Sequence, residues 1–366
     1  MDLRVLGWDA RWRDLFEPFA SDQLNPARVV AEHRGAFVVE TMAGPRSATL
    51  AGRLRHDATT RSELPAVGDF VAIRSGNRAA GDGPAVIVAV LPRRTAFVRR
   101  SAGTRSDDQV ISANVDVVFV MVGLDRDFNV RRIERYLAGV WDSGSTPVVL
   151  LNKSDVCETL ERRIDELQHA GLGGVAVHAL SALTADGLEA VRLYLREGVT
   201  AGVVGSSGVG KSTLLNRLLG RDAQTTGAVR ADDDRGRHTT TRRELFVLPG
   251  GGIVIDTPGM REFQLSAAGS DEPGIDGVAT VFADIEQLAG RCRFADCSHT
   301  SEPGCAVRDA IAEGQLDQDR LASYEKLMKE LRYEEARSDP SALSERKRVG
   351  RIGAKAARRM YRERRR

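Results

Sequence analysis

The chain opens with a region in which short apolar runs alternate with turn residues. Five such runs occur before residue 92, and Gly, Pro and Asp residues separate them. Short runs without a helical period are typical of the strands of a small barrel. The pattern therefore predicts an N-terminal β-barrel of the OB type. The runs are Ala27–Val30, Gly35–Val39, Ser47–Leu50, Val67–Ile73 and Pro84–Leu91.

The middle of the chain has the alternating pattern of an α/β domain. From Asn114 onward, the continuous apolar run Val115–Val122 precedes apolar residues at helical spacing. Buried parallel strands have continuous apolar runs, whereas helices have a period between three and four residues. The alternation therefore predicts a parallel sheet with helices on its faces. The helical positions are Val130, Ile133, Leu137 and Val140.

An amphipathic stripe near the C-terminus predicts one more helix. Its apolar positions recur every three or four residues, so one face is expected to pack against the preceding domains. The stripe consists of Leu321, Tyr324, Leu327, Met328 and Leu331.

Composition is that of a soluble protein with two or three domains. The chain has 366 residues, 42% of them hydrophobic, and a formal net charge of +2. No signal peptide or transmembrane run is visible, so we expect a cytoplasmic protein without a membrane partner. The charge is uneven, because Glu345–Arg366 holds 11 Lys/Arg and 2 acidic residues. Such a segment either contacts RNA phosphates or is a solvated charge run.

A Gly-rich segment between a strand-like run and a helical run predicts a phosphate-binding loop. Gly205–Ser212 follows Val199–Val204 and precedes the helical pattern Leu214–Leu219. Glycines let backbone amides approach phosphate oxygens, and the helix N-terminus favours negative charge. Lys211 is expected to reach the β- and γ-phosphates, and Ser212 to bind Mg²⁺. The predicted GTP-binding residues of this loop are Gly205, Ser206, Ser207, Gly208, Val209, Gly210, Lys211, Ser212 and Thr213.

A second motif, Asn152–Asp155, follows the strand-like run Pro147–Leu151 and predicts recognition of guanine. The Asp155 carboxylate can accept hydrogen bonds from two edge nitrogens of guanine, a pattern that adenine lacks. Asn152 is expected at the base O6, and the Lys153 stem is expected to cover the ring. Further base contacts are expected from Ser181 and Ala182.

A third motif, Asp256–Gly259, follows the β-branched run Gly252–Ile255. Asp256 is expected to hold Mg²⁺, and the Gly259 amide to face the γ-phosphate. Many GTPases orient the attacking water with a Gln at the next position. Met260 occupies it here, so intrinsic hydrolysis is expected to be slow.

The polar segment Asp232–Thr241 lies between the phosphate loop and Asp256 and is typical of a switch loop. Thr240 is the favoured residue to complete the Mg²⁺ shell, although Thr239 and Thr241 stay open as alternatives. His238 is the candidate catalytic residue that would position water, and a simple loop histidine is the alternative.

Three of the four cysteines fall close together with a histidine and predict a metal site. Cys292, Cys297, His299 and Cys305 have the spacing Cys-x4-Cys-x-His-x5-Cys. Three thiolates and one imidazole suit a closed tetrahedral Zn²⁺ site, which would be structural. A disulfide or scattered structural cysteines are the alternatives, and a reducing cytoplasm disfavours a disulfide.

The order of the nucleotide motifs is rotated relative to most GTPases. The guanine motif precedes the phosphate loop, and Asp256 follows both, as in a circularly permuted GTPase. With the segments Gly236–Thr241 and Cys292–Val307, this order resembles the bacterial RsgA family (also called YjeQ) of GTPases that depend on the small ribosomal subunit.

The resemblance covers nearly the whole chain and implies a multidomain fold. That fold has an N-terminal OB-like β-barrel, a circularly permuted α/β P-loop GTPase and a mostly helical zinc-binding module. The resemblance further implies late maturation of the small (30S) subunit, contacts with 16S rRNA, and GTP hydrolysis to GDP stimulated by that subunit. It also implies zinc binding by the Cys/His cluster and a catalytic role for His238.

The expected domains are an OB-like RNA-binding barrel over 1–105, the permuted GTPase over 106–285, and the zinc module with its basic tail over 286–366. The expected partners are GTP or GDP, the small ribosomal subunit and 16S rRNA, and the chain is expected to be a monomer. The alternative function is an RNA-binding assembly factor in which GTP is structural. Very slow turnover with and without ribosomal subunits would favour that alternative.

Overall fold

The N-terminal region is a closed five-stranded barrel, as its apolar pattern predicts. The computed structural model describes residues 2–20, 23–33, 35–75, 83–99, 109–172, 174–220, 243–256 and 277–338. The barrel strands are β1 (Asn25–His33), β2 (Ala36–Thr41), β3 (Gly44–Leu50), β4 (Phe70–Arg74) and β5 (Ala85–Val90). The pairing order is β1-β2-β3-β5-β4, and β4 pairs back with β1, so the ring closes. The closed ring of five strands confirms the predicted OB-like barrel.

Short helical segments surround the barrel. The apolar pattern predicted none of them, and three have only one or two turns. The segments are a 3₁₀ turn at Leu3–Leu6, α1 at Ala10–Ala20, α2 at Gly52–Asp57 and a 3₁₀ turn at Arg61–Glu63. Trp12 and Phe16 of α1 are buried and pack with Phe70 of β4. The N-terminal helix is thus part of the barrel's outer layer.

The middle of the chain is the predicted α/β domain. Its strands after the hairpin β6 (Ala96–Arg99) and β7 (Gln109–Ala113) are β8 (Val117–Gly123), β9 (Thr146–Asn152), β10 (Ala176–Leu180), β11 (Thr200–Val204), β12 (Arg243–Val247) and β13 (Ile253–Asp256). Its helices are α3 (Val130–Asp142), α4 (Leu160–Leu167), α5 (Leu188–Arg192) and α6 (Lys211–Leu219), with a 3₁₀ turn at Ser154–Val156 and a π turn at Gln168–Leu172.

The sheet of this domain is parallel except at one edge. The strand order is β10-β9-β8-β11-β13-β12, and only β12 among these described strands runs antiparallel to its neighbour. Phe119, Met121 and Leu150 are fully buried, because helices cover both faces of the sheet. Continuous apolar runs therefore predicted the central strands correctly.

The barrel and the α/β sheet are joined edge to edge. β1 of the barrel pairs antiparallel with β12, with Ala31 opposite Glu244 and Glu32 opposite Arg243. Across this junction, the Arg243 guanidinium lies 3.3 Å from the Glu32 carboxylate. Eleven described strands thus form one hydrogen-bonded sheet. The local apolar pattern did not predict this junction.

Four helices follow the sheet among the described residues and make the C-terminal region mostly helical, as predicted. They are α7 (Gly277–Val281), α8 (Ala283–Ala289), α9 (Ala306–Ala312) and α10 (Gln318–Ser338). Leu321 and Leu327 of α10 are buried, and the Tyr324 hydroxyl donates to Glu286 of α8 at 2.6 Å. The predicted stripe therefore packs inward. Among the described helices, none combines the length and apolar character needed to cross a membrane.

A buried ion network ties α10 to the α/β domain. Arg320 of α10 donates to Glu134 of α3 at 3.0 Å and to both oxygens of Asp284 in α8 at 2.7 and 2.8 Å. Glu134 is fully buried and also accepts hydrogen bonds from Arg131 and from Ser323. Because each charge has partners, the network fixes the position of the C-terminal helices against the domain.

Candidate functional site

The carboxyl ends of the parallel strands carry the predicted nucleotide residues. Ser181 and Ala182 follow β10, Asn152 ends β9, Gly205 follows β11, and Asp256 ends β13. In open α/β sheets, ligands bind at this edge, where neighbouring loops diverge. The structure therefore brings the guanine motif and the phosphate loop to one place despite their rotated order.

The phosphate loop needs glycine at its two ends for steric reasons. Gly205 has φ +145°, and a Cβ there would lie 2.2 Å from the Met121 carbonyl oxygen. Gly210 has φ +108°, and a Cβ there would lie 2.4 Å from Asn152 Nδ2. Lys211, the first residue of α6, donates from Nζ to the carbonyls of Gly205 and Ser206 at 2.7 and 2.5 Å. The Lys211 side chain thus lies against the phosphate loop and is held by its carbonyl oxygens.

Replacing Gly210 with alanine is expected to destabilise the nucleotide-free protein by about 2–4 kcal/mol. The cost combines a positive φ with a clash against a buried amide that has little room to move. Gly208→Ala is the matched control, since Gly208 has φ +77° but no atom within 4 Å of an added Cβ. Urea unfolding without nucleotide measures both variants. An equal loss of unfolding free energy in Gly210→Ala and Gly208→Ala would mean that contact with Asn152 does not restrict residue 210.

The Asn152 side chain joins the phosphate loop to the loop after β10. Its Nδ2 donates to the Val209 carbonyl at 2.7 Å, and its Oδ1 accepts from the Ala182 amide at 2.8 Å. Asn152 is 4% exposed. One N–H and one lone pair remain for a base, so the predicted contact with O6 is compatible with this bridging role.

The other residues of the guanine motif lie at the solvent-accessible side of the carboxyl-terminal edge of the sheet. Lys153 has φ +68°, which turns the chain into the 3₁₀ turn that carries exposed Asp155. Ser181 is buried, and its hydroxyl accepts from the Thr184 amide at 3.2 Å. The loop after β10 is thus held by its own hydrogen bonds, while the Asp155 carboxylate faces solvent where a base would enter.

Part of the predicted site lies outside the described residues. Asp256 is partly buried at the end of β13, where it pairs in register with Glu244. The predicted switch residues lie outside the described ranges, so their roles remain predictions. They are His238, Thr239, Thr240, Thr241, Gly259 and Met260.

The predicted metal ligands form one compact cluster. The ligand atoms of Cys292, Cys297, His299 and Cys305 all lie within 4.8 Å of one another. Cys292 Sγ lies 3.9 Å from Cys305 Sγ, and His299 Nδ1 lies 3.4 Å from Cys305 Sγ. Tetrahedral Zn²⁺ with Zn–S bonds of about 2.3 Å would space its sulfur ligands about 3.8 Å apart. The cluster therefore fits a four-coordinate metal ion, whereas the S–S distance is too long for a disulfide.

The surroundings of the cluster shift two of its thiols in opposite directions, because the pKa of Cys297 is raised to about 11, chiefly by burial, while that of Cys292 is lowered. Burial alone would raise the pKa of Cys292, but the backbone N–H groups of Val307 and Ala306 outweigh it and the pKa is lowered. Glu302 accepts from the Ser298 hydroxyl and from backbone amides of the same turn, which lowers its pKa to about 2. Glu302 therefore stays ionised and holds the turn between the last two ligands.

Comparison with known proteins decides the family. The RsgA GTPase profile matches residues 90–266. The small ribosomal subunit biogenesis GTPase RsgA of Opitutus terrae is 50% identical over 351 residues, which cover 93% of this chain and 92% of that protein. The chain belongs to the RsgA GTPase family. Membership makes it a GTP-hydrolysing enzyme and confirms the resemblance seen in the motifs.

Solved structures agree with the RsgA fold. The crystal structure of YjeQ from Thermotoga maritima is 26% identical, covers 84% of this chain and 98% of its own, and has a TM-score of 0.61. YloQ, described as a circularly permuted GTPase, is 22% identical, covers 84% of this chain and 95% of its own, and has a TM-score of 0.58. An ABC transporter profile also matches residues 188–345, a range that includes the phosphate loop. Strand, phosphate loop and helix recur across P-loop proteins, so this overlap is expected.

Motif analysis missed two acidic residues that contact the predicted nucleotide-binding residues of this RsgA-family chain. Asp125 and Asp127 lie in the loop between β8 and α3, and they contact Lys153 and Ser206, respectively. Asp125 lies three residues and Asp127 five residues beyond the buried run Val115–Val122. Two carboxylates just beyond a parallel strand were the available signal, since that end of the strand had to lie at the ligand edge.

Proposed function

We propose that this RsgA-family GTPase binds the small ribosomal subunit and acts in its late maturation. It would hydrolyse GTP to GDP and phosphate when the subunit stimulates it. The observation that carries the proposal is the meeting of guanine and phosphate loops, in permuted order, on a sheet that continues into an OB-like barrel. The names of similar proteins, which are small ribosomal subunit biogenesis GTPases, support the same role.

The described residues suit the proposed binding of GTP. Asp155 would accept from the guanine edge, with Lys153 beside the ring and Ser181–Ala182 as the neighbouring wall. Backbone amides of Gly205–Ser212 would surround the phosphates, and Lys211 would leave the loop carbonyls to reach them. Thr213 would add a hydroxyl in the first turn of α6.

Mg²⁺ fits the oxygen donors at this edge. Ser212 lies in the first turn of α6, which follows β11, and Asp256 ends β13, which is the neighbour of β11 in the sheet. Hard oxygen ligands of this kind suit Mg²⁺ together with substrate phosphates. When bound, the ion would neutralise charge on the β- and γ-phosphates. Thr240, Gly259 and His238 would complete the site from the switch segments.

The three domains predicted from the sequence have separate proposed tasks. The barrel over 1–105 and the basic tail of the module over 286–366 would contact 16S rRNA, and the GTPase over 106–285 would control that binding. We further propose that the protein is a cytoplasmic monomer without a membrane partner. The salt dependence of binding to the small subunit would report how many phosphates are contacted.

We propose that the Cys/His cluster holds one structural Zn²⁺. Cys305→Ser is expected to lower zinc affinity at least about 100-fold, because it removes a buried thiolate ligand. Cys157→Ser is the matched control, since Cys157 is partly buried and lies outside the cluster. Competition with a chromophoric chelator measures zinc release. Unchanged zinc affinity in Cys305→Ser would exclude the proposed ligand set.

The proposed function is tested by GTP turnover with and without purified small ribosomal subunits. Large subunits are the control for general RNA effects. Strong stimulation by small subunits alone is expected, since Met260 leaves the isolated enzyme without the usual Gln. Equally slow turnover in all three conditions would instead favour an assembly factor in which GTP is structural.

A further inference from the structure

The loop between β8 and α3 occupies the centre of the nucleotide edge. In the strand order, β8 lies between β9, which carries the guanine motif, and β11, which carries the phosphate loop. The backbone already fixes this loop to β9, because the Leu124 amide donates to the Asn152 carbonyl at 2.9 Å. The loop that follows β8 therefore lies between the two nucleotide motifs.

The first carboxylate of the loop holds the lysine of the guanine motif. Lys153 Nζ donates to Asp125 Oδ2 at 2.6 Å, and the Asp127 amide donates to Asp125 Oδ1 at 3.0 Å. The Lys153 hydrogen bond is the largest cause that lowers the Asp125 pKa, so this carboxylate is charged at neutral pH. Both side chains are about a third exposed, at 33% and 39%, which leaves room for a ligand beside them.

The second carboxylate holds the phosphate loop. The Ser206 hydroxyl donates to Asp127 Oδ2, while the Arg132 guanidinium donates to Asp127 Oδ1. Arg132 lies in the first turn of α3, where the Asn129 side chain caps its amide at 3.0 Å. The helix start thus anchors Asp127, and Asp127 in turn anchors Ser206.

We infer that Asp125 and Asp127 are positioning residues that couple guanine recognition to phosphate binding. Asp125 sets the place of Lys153 along the base, and Asp127 sets the phosphate loop through Ser206. The inference rests on the proposed GTP site and adds two residues to it. Since one short loop carries both contacts, a shift at either motif is transmitted to the other.

Double-mutant cycles on GDP affinity test the inference. Asp125→Asn is expected to weaken GDP binding about three- to tenfold, the range for losing one partly exposed charged hydrogen bond. In a Lys153→Ala background, the same change is expected to have little further effect. Asp127→Asn is expected to behave likewise, with its effect largely lost in a Ser206→Ala background.

Three further comparisons make the cycles specific. Asp125→Glu keeps the charge and should recover part of the affinity. Asp165→Asn, which neutralises an exposed carboxylate of α4, should leave GDP affinity unchanged. The Asp125→Asn/Asp127→Asn double variant measures coupling between the two carboxylates. Its fold-loss of GDP affinity should differ from the product of the fold-losses of the two single variants.

The outcomes separate this inference from the proposed function. If the unmodified protein fails to bind GDP, the proposed nucleotide site is wrong. A second outcome is that the protein binds GDP, but each Asp→Asn change weakens GDP binding equally with and without the partner substitution (Lys153→Ala or Ser206→Ala). The positioning roles are then wrong, while the proposed nucleotide site stands. If each single cycle shows coupling but the double variant is multiplicative, transmission through the loop is overturned. Thermal unfolding of every variant confirms that the compared proteins are folded.

Discussion

Replacing Asp155 with asparagine is expected to change the base preference from guanine to xanthine. In the proposed site, the carboxylate would accept from two donors on guanine, and each hydrogen bond to a charged group contributes about 1.5–3 kcal/mol. An amide in its place keeps one acceptor and presents a donor, which would face the guanine amino group. GDP affinity is therefore expected to fall about 10²- to 10⁴-fold. Xanthine carries an oxygen at that position and accepts from the new donor, so xanthosine diphosphate should become the preferred ligand.

Equilibrium titration with GDP and xanthosine diphosphate measures this exchange. Asp186→Asn is the matched control, because it removes the same charge from the loop after β10, where the Asp186 carboxylate accepts from the Thr184 hydroxyl at 2.6 Å. That control should keep its preference for GDP. A loss of GDP binding in Asp155→Asn without any gain for the xanthine nucleotide would show that Asp155 stabilises the loop but does not recognise the base.

The second large effect is expected at the buried ion network. Arg320→Ala should lower the free energy of unfolding by about 3–5 kcal/mol, since it removes the buried guanidinium that pairs with the carboxylate of fully buried Glu134. Asp284 loses two hydrogen bonds in the same change. Urea unfolding measured by circular dichroism gives the difference. Arg320→Met, which keeps volume but not charge, should be similarly unstable.

An exposed ion pair between the same two helices is the control for this effect. Arg135 of α3 and Glu330 of α10 form two hydrogen bonds at 2.7 and 2.9 Å, with both side chains about a third exposed. Solvent screens such pairs, so Arg135→Ala should cost less than about 1 kcal/mol. Adding Glu134→Gln to Arg320→Met should recover part of the lost stability. Equal costs for Arg320→Ala and Arg135→Ala would contradict the role assigned to burial.

Local patterns predicted the central elements because burial there is nearly complete. β8 overlaps the run Val115–Val122 over six residues, and α3 follows the spacing from Val130 to Val140. Strands buried on both faces need apolar residues at every position, so their pattern is visible without knowledge of their neighbours. The five barrel strands were likewise delimited by their turn residues.

Long-range pairing was the part that local patterns could not predict. The Glu244–Val247 segment has an apolar core, but nothing in it specifies that Arg243 will lie opposite Glu32. Likewise, β6 finds its partner β7 only after an intervening stretch of chain. Pairing of this kind depends on tertiary register, and residues far apart in sequence determine that register.

The candidate site shows the same division. The phosphate loop and the guanine motif could be recognised in the sequence because their ligands require particular residue types at fixed spacing. Asp125 and Asp127 follow no such rule, and their contacts arise because β8 lies between β9 and β11. Likewise, the bridging contacts of Asn152 depend on two neighbouring loops. Motif spacing therefore yields candidate ligand-binding residues, but it gives no sign of the residues that hold those candidates in place.

The continuity of β1 with β12 has a practical consequence for fragments of this protein. A GTPase fragment cut away from the barrel would expose the N–H and C=O groups through which Glu244 and Arg243 pair with β1. Open strand edges recruit other chains, and native proteins cover or charge them to prevent aggregation. The barrel thus covers the edge of β12, the strand that follows the predicted switch segment. A fragment that loses solubility on truncation would do so because this strand edge is uncovered, and not because the GTPase domain itself is unstable.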